Sequence, residues 1–403
     1  MILGGLLLYD KYDTQRILTP VLLATPAPPP APAAAPLLIG SQLTLDILGL
    51  KFGAPFGYID PASGRPVTPL QWDRAERFSE GFAHVSAPGK NGFIDSKGTF
   101  VIGHAFSDRF REGLSEIMLP GDKYGFINSS AQIVIPPAWD YVGDFSGGVC
   151  HVRRDHLWGL IDRTGKVIAQ PEWDTMYSFY DGIALIYRGK SFGLINIAGQ
   201  VVLPPGGPLE ADWNGHFADG RCPVFQNFHS GYVDRTGKIA IPVQWSGAHT
   251  FSEGLAAVQS EQKWGYIDPD GKAVISRQWE NAEEFSEGLA AVSLKKDEWG
   301  YIDKKGTVVI PYTAWTKAKR FTGGLAIVTR SDGKSGLIDQ QGQTVVPFEW
   351  DGIQAEPRSD APKAPVDYLL YQRTTPGRCL AAYYRAGDRR EIWRSEIRLD
   401  EEK

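Results

Sequence analysis

Two carboxylate series recur along this chain of 403 residues. The first closes a Gly-(aromatic or Leu)-Ile-Asp element at Asp60, Asp95, Asp162, Asp234, Asp268, Asp303 and Asp339. The second stands before a glycine, at Glu80, Glu112, Asp181, Asp219, Glu253 and Glu287. Paired carboxylates can act as acid and base in glycoside hydrolysis, and clustered oxygens can hold Ca²⁺. Recurrence argues against both, because a catalytic residue is needed once, whereas one that returns in every unit is first of all a builder. Most of the Asp series has a glycine three residues on, which reads as a side chain capping a turn whose last residue takes positive φ. The second series gives way to Gly147 and Gly323 without loss of the unit. Replaceability of that kind does not belong to a mechanism.

The remaining chemistry-bearing residues are sparser. The seven histidines contain no H-E-x-x-H and no i, i+4 pair, so their spacing offers no zinc site. His84 and His151 share one strand position two units apart, while His104, His156, His216, His229 and His249 fall in turns or links. Cys150 and Cys222 occupy a position that is Ala elsewhere and read as small core residues. Cys379 has no motif around it, and no C-x-x-C occurs. Neither G-x-S-x-G, a P-loop nor a G-x-G-x-x-G opening a helix is present. The expectation is no catalytic residue, no cofactor and no metal.

The elements that carry these residues are a repeat. The glycine of the first element stands at Gly57, Gly92, Gly125, Gly159, Gly193, Gly231, Gly265, Gly300 and Gly336, followed by a ring at Trp72, Phe106, Trp139, Trp173, Trp213, Trp245, Trp279, Trp315 and Trp350. A Phe-x-x-Gly series runs from Phe78 to Phe321. Three markers in fixed order at a period in the thirties mean a solenoid, a propeller or another array. After Phe-x-x-Gly, the second position is always small (Ala83 to Ala326) and the fourth always β-branched (Val85 to Val328), so that face of the strand is buried. The intervening position varies and marks the freer face. The isoleucines of the second strand lie with the glycine, whose missing side chain lets a neighbour approach. A third strand, such as residues 307–310, ends at a proline, and the link beyond it holds the rings that plug consecutive units together. We expect an all-β array of nine three-stranded antiparallel units, curved into a superhelix, with a closed propeller-like ring as the alternative.

Four segments follow: a leader and Pro/Ala-rich spacer at residues 1–40, the array at 41–354, a Pro-rich linker at 355–365, and a β-rich tail at 366–403. The leader fits a secretory signal only loosely, which leaves export and retention both open. Neither of its apolar pieces reaches the ~20 residues of a spanning helix. The tail, with strands at 368–373, 380–385 and 392–397, either caps the last unit or pairs with residues 43–52 to help close a ring, capping being the expectation. A net charge of −5 and a pI near 5.9 lack the basic surface that nonspecific nucleic-acid binding requires.

The units resemble WG repeats, a bacterial β-rich family named for the Trp-Gly found here at Trp158-Gly159, Trp264-Gly265 and Trp299-Gly300, with G-Y-I-D, V-I-P and F-x-E-G-L-A elements in order. Phe, Asn, Tyr or Ser replaces that Trp in six units. The resemblance implies a noncatalytic interaction scaffold and brings no catalytic residues. Function is therefore expected in binding a protein or a cell-envelope polysaccharide, the alternative being an envelope hydrolase or toxin-like effector with its site in the tail or on the concave face. Tyr58, Phe93, Phe126, Tyr232, Tyr266 and Tyr301 point opposite to the buried isoleucines. They either line a ligand-contact surface for sugar rings or extended peptides, or are packed between units, packing being preferred. The insertion at residues 203–212 and the Arg-rich tail are the other places where individuality is expected.

Overall fold

The computed structural model describes residues 36–46, 49–103, 109–119, 121–211, 216–357, 366–376 and 378–401. The leader and spacer up to residue 35, Phe106, Trp213, His104, Asp212 and most of the linker at 355–365 lie outside the described residues. Among those described, every regular element is a β-strand, and no helix is long and apolar enough to cross a membrane.

Each unit is an antiparallel meander. The eighth, for instance, runs Asn281–Ala282, Leu289–Lys295, Glu298–Asp303 and Val308–Thr313. The expected three strands are present, and the link adds a fourth, short strand ahead of them. Eight such four-stranded sheets form blades two to nine. A seven-stranded sheet holds the other two. Its Leu37–Asp46, Gly49–Ile59 and Pro66–Trp72 make blade one, while Gly352–Pro357, Val366–Thr375, Arg378–Arg385 and Arg390–Glu401 make blade ten.

The array closes on itself. Each cluster of core side chains draws on two successive blades, and one cluster joins blade ten to blade one through Leu37, Ile39 and Ile59 against Leu369, Tyr383 and Ile397. The end of the last strand also pairs in parallel with the first, from Gln42 opposite Arg398 to Leu45 opposite Glu401. Both roles weighed for the tail are observed, since Tyr368 and Leu370 cover blade nine while the last strand pairs with the first, and of the two forms weighed for the array it is the closed ring, a β-propeller of ten blades. Closure removes the open edges that a superhelix would have to cover.

Packing between blades explains the repeat position by position. The small and β-branched positions are buried throughout, Ala290 and Val292 completely. The varied position between them, expected on a freer face, is covered in blades five to nine, where Leu185, Pro223, Ala257, Ala291 and Ile327 are buried, and half-buried at His84, Glu116 and His151 in blades two to four. A blade in a ring has a neighbour on each side, so both faces of its sheet pack against another blade. The repeated glycine accommodates the outermost strand, since a Cβ on Gly265 would stand 2.7 Å from the Ile275 carbonyl oxygen. Ala290→Leu forces extra methylenes into the core shared by blades seven and eight. It is expected to cost about 1–3 kcal/mol, read as a lowered melting temperature.

The carboxylate series are builders, as their recurrence implied. Asp162 accepts from the amides of Thr164 and Lys166, and Asp303 from those of Lys305 and Thr307. The second series takes positive φ itself, with Glu253 and Glu287 both at 54°. Its carboxylates reach the next blade: Glu253 accepts from the amides of Glu287 and Gly288 at 2.7 and 3.0 Å, and Glu287 from those of Gly323 and Gly324 at 2.6 and 2.8 Å. The serine beside it does likewise, Ser252 donating to the Phe285 carbonyl and Ser286 to that of Phe321. The Phe-Ser-Glu-Gly motif is thus a belt that ties blade to blade.

The turn carboxylates set an acid limit. Hydrogen bonds from the Thr164 and Thr236 hydroxyls hold Asp162 and Asp234 below the usual carboxylate range, with backbone amides adding to the effect. A depressed folded value contributes stability above the unfolded value of about 3.9 that is lost as pH falls through the folded one. The melting temperature should hold from neutrality to about pH 4 and decline below it. Asp162→Asn, which keeps the turn acceptor as Asn128 and Asn196 do, should flatten that decline.

Candidate functional site

The six aromatic residues offered as ligand contacts are not on a surface. Tyr58, Phe93, Phe126, Tyr232, Tyr266 and Tyr301 are all buried. Each tyrosine ring packs at a steep angle on the phenylalanine of the following blade, as Tyr232 does on Phe251, Tyr266 on Phe285 and Tyr301 on Phe321 at 4.9 Å. Alternation placed them correctly on the face opposite the isoleucines, but that face packs on the next blade.

Their hydroxyls nevertheless point to a site. Tyr232 donates to the backbone carbonyl of His249 at 2.7 Å, Tyr266 to that of Glu283 at 2.8 Å and Tyr301 to that of Lys319 at 2.8 Å. These three acceptors occupy one repeat position, two residues before the phenylalanine, in blades seven, eight and nine. Together with His216, Glu284 and Arg320, one residue before their own phenylalanines, they line a cleft of about 840 Å³. Equivalent positions of four consecutive blades can meet in one cleft only where the blades converge, on the inner side of the ring where the short first strands run.

The cleft has two kinds of wall. Blades six and seven contribute Phe225 and Trp264, with the His249 imidazole packed on the Trp264 indole at 4.6 Å. Gly247 admits that indole, since a Cβ there would stand 3.1 Å from the ring. Blades eight and nine contribute Glu283, Glu284, Lys319 and Arg320, of which Glu284 and Arg320 approach within 3.9 Å. Glu210, from the insertion, lies at the far edge. Among the described residues, none hydrogen-bonds or ion-pairs with the side chains of Glu210, His249, Glu283 or Lys319.

Elsewhere on the inner side the charges are spent on each other. A smaller cavity of about 240 Å³ beside blades three and four contains Arg109 donating to Asp144 at 2.7 Å. Burial pushes the His151 imidazole there below its ordinary value, with Asp144 opposing. At the closing seam Arg77 pairs with Glu356, whose carboxyl is raised by burial and held back by that arginine. Of the tail arginines, Arg390 donates to the Ala62 carbonyl at 2.9 Å across that seam, and Arg389 pairs with Asp339 of blade nine at 3.2 Å. Cys150, Cys222 and Cys379 are buried, and burial raises the Cys150 and Cys379 thiols. Among the described residues no three His, Cys, Asp or Glu side chains are grouped to hold a metal ion.

The sequence pointed to the cleft only through the insertion that contains Glu210, although a further signal was there. The position before the repeated phenylalanine reads Arg77, Arg109, Asp144, Ser178, His216, Thr250, Glu284 and Arg320, six residue types in eight copies. A position that building leaves free is where recognition can be written.

A family model described as "WG containing repeat" matches residues 56–86, 124–155, 158–190, 231–264, 264–296, 299–334 and 336–357. Comparison with curated proteins returned no match. Among solved structures the chain is similar to Hsv2p of Kluyveromyces lactis, at 11% identity and a TM-score of 0.35 over 64% of this chain and 97% of that one. It is also similar to BamB from Moraxella catarrhalis, at 12% identity and a TM-score of 0.32 over 66% and 90%.

Proposed function

The chain belongs to the WG containing repeat family, and we propose that it is a noncatalytic scaffold that grips a protein or a cell-envelope polymer in the cleft of blades six to nine. One observation carries this reading: the repeated carboxylates and serines are consumed in holding blades together, while Glu210, His249, Glu283 and Lys319, whose side chains make no hydrogen bond or ion pair among the described residues, gather in that cleft. Backbone positions there are fixed by buried tyrosines, so the cleft is preformed, which reduces the ordering cost of binding.

The rival reading is an envelope hydrolase, favoured by the presence of two imidazoles and three carboxylates in one cleft. A screen of the purified full chain against cell-wall polysaccharides and lysate proteins separates the two. Stable binding that a cleft-filling substitution removes supports the scaffold. Turnover of a glycan without stable binding overturns it.

A further inference from the structure

Resting on that reading of the cleft, we infer that its occupant is a neutral saccharide chain, recognised by side chains alone. The space adjoins a position at which blade six, like five other units, lacks the tryptophan before the repeated glycine. Where blades four, seven and eight carry Trp158, Trp264 and Trp299 before the repeated glycine, blade six carries Ser230. Ser230 is buried at the cleft wall between Phe225, its partner on the neighbouring strand, and Trp245, its partner on the other side. The missing ring leaves room that Phe225 and Trp264 bound.

Charge and backbone geometry narrow the occupant. The polar wall sets Glu210, Glu283 and Glu284 against Lys319 and Arg320, so neither a polyanion nor a polycation gains from entering. An apolar ligand would leave those side chains desolvated and unpaired. An added peptide strand needs free backbone groups, and at three equivalent positions of the wall they are taken. The amides of His249, Glu283 and Lys319 bond to Ala257, Ala291 and Ile327 within their own sheets, while their carbonyls accept from the three tyrosines. What remains is a set of planar carboxylate, imidazole and guanidinium groups facing an indole and a phenyl ring. Those groups match the hydroxyl edge and the C–H face of a pyranose, each planar group able to take two neighbouring hydroxyls.

The test uses the full chain and its Ser230→Trp variant, which restores the ring found in three other blades and should melt at the wild-type temperature. Both are titrated calorimetrically with neutral cello-, xylo- and N-acetylchito-hexasaccharides, with an anionic oligogalacturonate, and in parallel used to capture lysate proteins. We expect a neutral oligosaccharide to bind the wild type with little dependence on salt, and Ser230→Trp to weaken it by tenfold or more, about 1.4 kcal/mol. Trp264→Ala should weaken it similarly. Binding of the anionic chain alone, or protein capture that is sensitive to Ser230→Trp while no saccharide binds, overturns the saccharide but leaves the scaffold standing. If nothing binds in a manner sensitive to Ser230→Trp, both fall.

Discussion

Deletion of residues 390–403 is expected to open the ring, seen as a longer maximal dimension in small-angle scattering and a melting temperature well below that of the intact chain. The last strand is antiparallel to Arg378–Arg385 and parallel to the first strand, so both of its sides are engaged. Its Ile397 packs with Leu37, Ile39 and Ile59, and Trp393 stands 6.0 Å from Tyr383, whose hydroxyl donates to the Leu38 carbonyl at 2.9 Å. Without the strand, Ile397 is gone and Cys379, Ala381 and Tyr383 lose their cover. At roughly 1.5–3 kcal/mol for each large apolar side chain, the loss is on the order of 5 kcal/mol or more. The ring then ends in two blades with one neighbour each, where a repeat array begins to fray. An unchanged scattering profile and melting temperature would show that closure is carried elsewhere.

The unit itself was legible because its constraints repeat. Small and branched residues two apart, an isoleucine beside a glycine and an Asx-capped turn each have one physical explanation, and nine copies average out drift. Closure was not legible. Whether an array coils or shuts depends on a small rotation per unit summed around the array, and no single residue encodes it. The two-residue first strands left no trace either, since Gly247–Ala248 is too short to show alternation. Alternation could not reveal that both faces of each sheet are covered, and so the tyrosine row could be read as a surface. The cleft was hidden by the strength of the repeat: Ser230 looks like a worn copy of a tryptophan until its neighbours are seen to leave the space open.

Trp279→Ala should damage stability and binding together, although Trp279 never touches the cleft. Its ring is buried between blades seven and eight, 6.2 Å from Tyr266, and its Nε1 donates to the Tyr312 hydroxyl at 2.8 Å. Truncating a buried tryptophan costs about 3–5 kcal/mol, because the surroundings only partly collapse. The freed volume adjoins Tyr266, whose hydroxyl fixes the Glu283 carbonyl and so a residue that lines the cleft. Trp264, paired across the strands from Trp279, loses its backing at the same time. Affinity should therefore fall alongside the melting temperature, whereas Trp72→Phe should leave affinity unchanged. Trp72 lies in blade one, and its indole N–H has no partner among the described residues, so that substitution also removes an unsatisfied donor. Loss of stability in Trp279→Ala with affinity intact would mean that the interblade core does not hold the cleft in shape. Parallel loss would place the recognition geometry in the same packing that makes the ring.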